Sequence, residues 1–328
     1  MLEHVGIDVS KDKFDTCWLR DFESLKKKTK VLNNTQAGHK QLVNWLLKNI
    51  KAEPQNIVIT IEPTNVYHEA LIHVLHDAGF KVFLVNPGKA KKFAQSQNTT
   101  HKTDKIDAFL LAKYGYSNQK ELRLWHPEPK HIRELNLLLR RLSALEKDLQ
   151  REKNRKNASQ CGLSSKRVLA SLDGIIEILE SEIKTLNKDI DTHIKQHPDL
   201  KKKKQLLETI NGVGSVISRE MTYLLSSKSF ENAKQVAAYL GLIPKFNESG
   251  TLKGRSTITK QGPARLRAKL YMPAITASKY NHDIKVQKAK LEAAGKTSKQ
   301  LVCAAMRKLV QICFGVVKSG KEYQPQAT

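Results

Sequence analysis

The sequence predicts three parts in order along its 328 residues: an α/β domain on a mixed sheet, a helical hairpin and a helical C-terminal domain. Three patterns lead there. Short β-type runs alternate with helical ones as far as about residue 125. Leucine and isoleucine then recur in steps of three and four, and basic, glycine-punctuated helical sequence follows residue 200. The expected boundaries are 1–125, 126–200 and 201–328.

His4 to Val9, Phe14 to Leu19 and Lys28 to Leu32 are apolar or alternating runs, and Ser10, Lys11 and Asp12 supply a turn between the first two. They predict a three-stranded meander. Thr35 is placed to cap a helix whose Leu42, Val43, Leu46 and Leu47 recur at helical spacing and which ends before Pro54. Ile57 to Ile61 is continuously β-branched and suits a strand covered on both faces. Pro63 and Thr64 open a helix through about Ala78, stopped by Gly79, and Lys81 to Val85 supplies another strand. A helix from Thr103 to about Tyr114 completes the domain. Beyond Pro127 and Pro129, Leu135, Leu138, Leu142, Leu145 and Leu149 follow heptad steps. A polar stretch from about Asn154 to Ser165 breaks the pattern before Leu172, Ile176, Leu179, Ile183, Leu186 and Ile190 resume it. Two coiled-coil arms are expected, pairing with each other or between subunits, and with them a homo-oligomer.

Charge carries the first functional information. There are 57 basic and 32 acidic residues, a net of +25, and residues 201–328 alone hold 24 Lys and Arg against 7 Asp and Glu. A polyanionic partner is expected. A membrane surface would want an amphipathic anchor or a lipidation signal, and neither is found, so nucleic acid is favoured. No secretory signal and no run of eighteen apolar residues is present, which predicts a soluble cytoplasmic, nucleoid-associated protein. Cys17, Cys161, Cys303 and Cys313 are widely spaced, so free thiols and no zinc are expected.

Four carboxylates stand out. Asp8 ends the first strand and Glu62 follows the buried one, and a carboxylate ending an apolar strand is costly to desolvate unless a cation meets it. Asp104 and Asp107, three apart, share one helical face, where like charges repel. Placement at a helix N-terminus explains that pair taken alone. All four together match the hard oxygen ligands that Mg²⁺ or Mn²⁺ demands, and a phosphodiester-chemistry site is expected. Thr64, Lys11 and Lys102 lie nearby in sequence and read as caps or surface charges.

The segments Gly6-Ile7-Asp8-Val9-Ser10-Lys11, Ile61-Glu62-Pro63-Thr64 and Lys102-Thr103-Asp104-Lys105-Ile106-Asp107-Ala108 resemble the DEDD transposases of small bacterial insertion sequences. Tyr239-Leu240-Gly241-Leu242-Ile243-Pro244, Glu248-Ser249-Gly250, Gly254-Arg255, Thr259-Lys260-Gln261-Gly262 and Leu266-Arg267 resemble the C-terminal domain of the same family. The likeness spans nearly the whole chain. It implies a RuvC-like N-terminal domain of ribonuclease H-like fold and a C-terminal transposase domain. It also implies recombination of donor and target DNA guided by a structured bridge RNA, through a covalent serine–DNA intermediate, by a tetramer. The family's acids fall on Asp8, Glu62, Asp104 and Asp107 and its nucleophile on Ser249.

Read without the family, Asn-Glu-Ser-Gly is ordinary turn chemistry. Its setting is electropositive, since Lys253, Arg255, Lys260, Arg265 and Arg267 follow, and Gly250, Gly254 and Gly262 would let backbone amides approach phosphate. Serine and acids are far apart in sequence, so one composite site requires the two domains to meet. Ile210-Asn211-Gly212-Val213-Gly214 fits either a helix-hairpin-helix turn, with Gly212 and Gly214 against a phosphate, or a plain packing corner. Two other functions use the same residues: a hydrolytic nuclease or Holliday-junction resolvase needing only the acids, and a non-enzymatic nucleic-acid-binding protein needing only the basic charge.

Overall fold

A computed structural model describes residues 2–97, 103–162, 165–245, 248–249, 252–253 and 257–326. It divides into two compact units, Met1–Pro127 and Glu128–Thr328. Lys102, Gly250, Gly254 and Arg255 lie outside the described residues.

In the first unit, β1 (Glu3–Val9), β2 (Lys13–Leu19) and β3 (Lys27–Asn33) form the expected antiparallel meander. The helix α1 (Gln36–Asn49) follows, with the Thr35 hydroxyl accepting from the Gly38 amide at its start. Then come β4 (Ile57–Ile61), α2 (Glu69–Asp77), β5 (Lys81–Leu84), α3 (Pro87–Ser96) and α4 (Asp104–Ser117). Strands β4 and β5 run parallel to β1, giving the mixed order β3-β2-β1-β4-β5. All five residues of β4 are buried, as a strand covered on both faces requires. Val5, Ile7, Ile57 and Ile59 share one core with Leu42 and Leu46 of α1 and Leu71 and Leu75 of α2. The alternate residue Gly6 faces α4 on the other side.

Two local expectations change. The helix expected from Pro63 begins at Glu69, because Asn65 sits at a φ of +48° in a turn that no helix can include. The segment Pro87–Ser96 is helical although its pattern did not announce it: Ala90 is its one buried residue among those described, so it lacks a repeating apolar face. Its start is fixed locally, by Pro87 in the first turn and by the Asn86 side chain accepting from the Gly88 amide.

The second unit opens with a helical hairpin, α5 (Lys130–Cys161) and α6 (Lys166–Gln196). Ile132, Leu135, Leu139, Leu142 and Leu145 pack within one chain against Leu186, Ile190 and Ile194. The polar stretch from Asn154 does not break α5, which continues to Cys161. Ion pairs along the helix (Arg151 with Asp148, Arg155 with Glu152) and across the hairpin (Lys153–Glu180, 2.7 Å; Lys156–Asp173, 2.6 Å) hold it where apolar burial fades.

Seven further helices follow among the described residues: α7 (Pro198–Glu208), α8 (Ser215–Ser227), α9 (Ala233–Tyr239), α10 (Ala264–Lys269), α11 (Tyr271–Tyr280), α12 (His282–Ala293) and α13 (Ser298–Ser319). By length and composition α13 could span a membrane. It instead places Leu309, Val310 and Cys313 in the core of this unit, beside Leu270 and Ala274. The region is not purely helical. Between α9 and α10 lie two small antiparallel sheets, β6 (Pro244–Lys245) with β9 (Thr257–Ile258), and β7 (Glu248–Ser249) with β8 (Leu252–Lys253). Two glycines on either side of them are fixed by close approach. Gly241 and Gly262 both have positive φ, and a Cβ on Gly262 would stand 1.9 Å from the Tyr239 carbonyl oxygen.

Candidate active site

The four acids are brought together by a helix lying directly on the sheet. A Cβ at Gly6 would meet the Ala108 carbonyl oxygen at 2.0 Å and the Ala112 amide nitrogen at 2.4 Å, so α4 and β1 touch backbone to backbone. Farther along, a Cβ at Gly115 would strike the Thr60 hydroxyl of β4 at 2.2 Å. This contact sets the first turn of α4, with Asp104 and Asp107, beside the end of β1 that carries Asp8. Ile7 pairs with Ile61 in the parallel register, so Glu62 leaves β4 next to Asp8. The Thr103 hydroxyl accepts from the Ile106 amide and fixes where α4 begins. Burial, and then the charges of Asp107, Asp104, Glu62 and Asp15, raise the Asp8 carboxyl to about 6.

Asp15 is a fifth acid that the sequence reading missed. It is buried and sits directly opposite Asp8 in the β1–β2 register. The turn Ser10-Lys11-Asp12 carried the signal, because it fixes that register and directly opposed residues point to the same face. Lys13 was missed as well. Its Nζ lies 2.8 Å from Asp104 and 3.5 Å from Asp15, a solvent-exposed cation supplied by the chain itself beside the carboxylates. Its own pKa is raised, first by the hydrogen bond to Asp104.

Ser249 and the basic residues chosen with it belong to the second unit. Ser249 of β7 pairs with Leu252 of β8. Two of the expected phosphate-binding arginines are engaged elsewhere. Arg265 donates to the Leu139 carbonyl at 2.9 Å and to the buried Glu220 at 2.9 Å, tying α10 to α5 and α8. Arg267 donates to the carbonyls of Leu240 (3.0 Å) and Gln261 (3.2 Å), bracing the loop beneath the small sheets. These bonds give both arginines a part in holding the unit together, and the buried Glu220 left without its donor would be costly. Lys260 remains exposed, in a left-handed backbone conformation. Gly212 is needed for packing: at φ +101°, a Cβ there would press on Ala277 at 2.5 Å. At Gly214, the N-cap of α8, a Cβ would meet nothing within 4 Å.

Residues 5–159 match a family model described as a transposase, of the DEDD type of IS110. Residues 204–289 match a second, described as transposase IS116/IS110/IS902 family. The chain is also 31% identical over 326 residues to the pilin gene-inverting protein of Moraxella bovis, covering 98% of this chain and 97% of that one. The pilin gene-inverting protein of Moraxella lacunata matches to the same extent. The chain belongs to the IS110 family of transposases. Among solved structures, Thermus thermophilus RuvC in complex with a Holliday junction substrate aligns with 38% of this transposase and 100% of its own chain, at 12% identity and a TM-score of 0.29. Membership of the transposase family and the likeness to a gene-inverting protein over nearly the whole chain make it a DNA recombinase, an enzyme acting on DNA.

A divalent ion suits the donor set of this transposase. Asp8, Glu62, Asp104 and Asp107 are hard oxygen donors, and a cation would offset both the burial and the mutual repulsion that raise Asp8. They are gathered rather than closed into a cage: among the described residues, no three acidic, His or Cys side chains already stand as a ligand set.

Asp8 binds its proton more tightly in the folded protein than in an unfolded chain, where a carboxyl titrates near 4. The contribution of Asp8 to stability therefore falls as pH rises from about 4 to about 6, and its loss is complete above that. Asp8→Asn is expected to melt higher than the parent at pH 7.5 without divalent ions, and to lack this falling phase. Melting curves across the pH range check it; a parent and variant with parallel profiles would refute the charge crowding.

Proposed function

We propose that this transposase exchanges strands between donor and target DNA by attack of Ser249 on a phosphodiester, assisted by divalent ions at Asp8, Glu62, Asp104 and Asp107. The convergence of these four acids at one end of the sheet carries the reading, because it supplies a cation site of the kind phosphoryl transfer requires. A Mg²⁺ or Mn²⁺ ion held there would lower the pKa of a hydroxyl and offset charge at phosphorus. The seryl Oγ displaces a sugar oxygen, which takes up a proton, and the phosphoserine diester left behind conserves the bond energy for rejoining. A sugar hydroxyl of the second strand then displaces the serine.

The reading assigns residues 1–125 to metal binding, 126–200 to a hairpin mediating subunit contacts in a tetramer, and 201–328 to the nucleophile and DNA. Lys253, Arg255, Lys260 and Gly214 contact nucleic acid in it, in a nucleoid-associated protein. A bridge RNA selects donor and target by pairing, consistent with the lack of any RNP-type aromatic motif or zinc finger in the sequence. The test combines purified protein, Mg²⁺, copurifying RNA and DNA from the ends of the element. A covalent protein–DNA adduct that maps by mass spectrometry to Ser249 and disappears on ribonuclease treatment is expected. Cleavage with no adduct would favour the hydrolytic nuclease, and recombination indifferent to RNA would remove the guide.

A further inference from the structure

A cavity of about 630 Å³ in the second unit is lined by the β6–β9 sheet, α12 and α13. Lys299, Cys303 and Arg307 follow one another at four-residue steps, placing all three on the same face of α13, and Lys296 joins them from the preceding loop. Leu242, Ile258, Leu291 and Ala304 supply an apolar wall. Among the described lining residues there are three cations and no carboxylate. Gln287 of α12 also lines the cavity, and its Oε1 is buried without a hydrogen-bond partner among the described residues. A buried acceptor left so is costly, and a donor brought by a ligand would satisfy it.

We infer that this cavity binds one nucleotide unit of a single-stranded nucleic acid, its phosphate on Lys296, Lys299 and Arg307 and its base or sugar against the apolar wall and Gln287. The volume lies within the roughly 300 to 1,000 Å³ of pockets that enclose small organic molecules, more than a bare phosphate needs. A stacked duplex cannot enter a cavity of this size, whereas a strand with an unstacked base can. No aromatic ring lines the described wall, so the phosphate contacts dominate and base preference is weak. Pro244, Thr257 and Ile258 of the wall are also the strands from which the segment carrying Ser249 emerges. Ser249 is five residues from Pro244, at most about 17 Å of extended chain, so a strand seated here is delivered close to the serine. The inference rests on the recombinase reading only for the choice of nucleic acid as the polyanion.

Cys303 makes the cavity testable. Cys17 and Cys313 are buried and Cys161 is exposed, so in a Cys161→Ser, Ser249→Ala protein Cys303 is the thiol open to a maleimide. The background cannot form the serine adduct, so the result does not depend on the proposed chemistry. Oligothymidylate or oligouridylate of about ten nucleotides, at ten times its dissociation constant, is expected to slow alkylation about tenfold. Which of the two protects identifies DNA or RNA as the source. Replacing Lys296, Lys299 and Arg307 together by Gln should abolish protection and flatten the salt dependence of binding by about 2 log units per log unit of salt. Gln287→Leu, a single change, should weaken binding without altering that slope. Oligonucleotide that binds fully while Cys303 reacts at its free rate, or a triple variant with an unchanged slope and normal melting, would overturn the inference.

Discussion

Ser249→Ala is expected to reduce strand cleavage by about three orders of magnitude or more and to remove the covalent protein–DNA adduct, while leaving DNA and RNA binding within about twofold. The reason is chemical. On the proposed mechanism, removing the hydroxyl removes the attacking group, whereas the net basic charge of residues 201–328 available to a polyanion is unchanged. Gel-based cleavage, adduct detection and fluorescence anisotropy on the same preparation measure the three quantities. Asp104→Asn should lose cleavage equally but by a different route, and adding Mn²⁺ in excess should recover part of it, which no metal can do for Ser249→Ala. Mixing the two inactive variants restores some activity if the acids and the serine of one site come from different subunits. Cleavage that persists in Ser249→Ala at the parental rate would return the protein to the hydrolytic class.

Gly6→Ala is expected to do nearly as much damage from inside the fold. The added methyl would stand 2.0 Å from one backbone atom of α4 and 2.4 Å from another, and backbone cannot swing aside as a flexible side chain can. The helix must lift off the sheet, at a cost of about 1 to 3 kcal/mol or more. Because the same helix carries Asp104 and Asp107, a displacement of about 1 Å at the acids should lower cleavage about a hundredfold in the molecules that remain folded. The control is Gly174→Ala in α6, where a Cβ would meet nothing within 4 Å. There the loss of backbone freedom in the unfolded chain should give a gain of about 0.5 to 1 kcal/mol. Calorimetric melting and cleavage assayed at a temperature where both variants are folded separate the two effects. A Gly6→Ala protein with parental melting and activity would show that α4 does not rest on β1.

Much of the placement of the four acids was legible because it lives in residue type and local order. Asp8 and Glu62 at the ends of apolar strands, and Asp104 and Asp107 behind a capping threonine, are local signals that folding can only bring together. Lys13 and Asp15 were not legible in the same way. The turn signals the cross-strand register that sets Asp15 opposite Asp8, but the part of Lys13 also depends on a helix arriving from about ninety residues downstream, which no short window encodes.

The amino-acid order alone determined the mixed α/β sheet, the hairpin seam, the basic C-terminal region and the family, because periodicity, capping residues and charge act over a few residues. Tertiary structure decided what each polar side chain is for. Arg265 and Arg267 look like phosphate ligands in sequence, yet backbone carbonyls and the buried Glu220 engage them, while Lys296, Lys299 and Arg307 line a cavity with no competing acid among its described residues. A guanidinium goes to the acceptor that would otherwise be stranded away from water, and which acceptor that is becomes known only when the chain has packed.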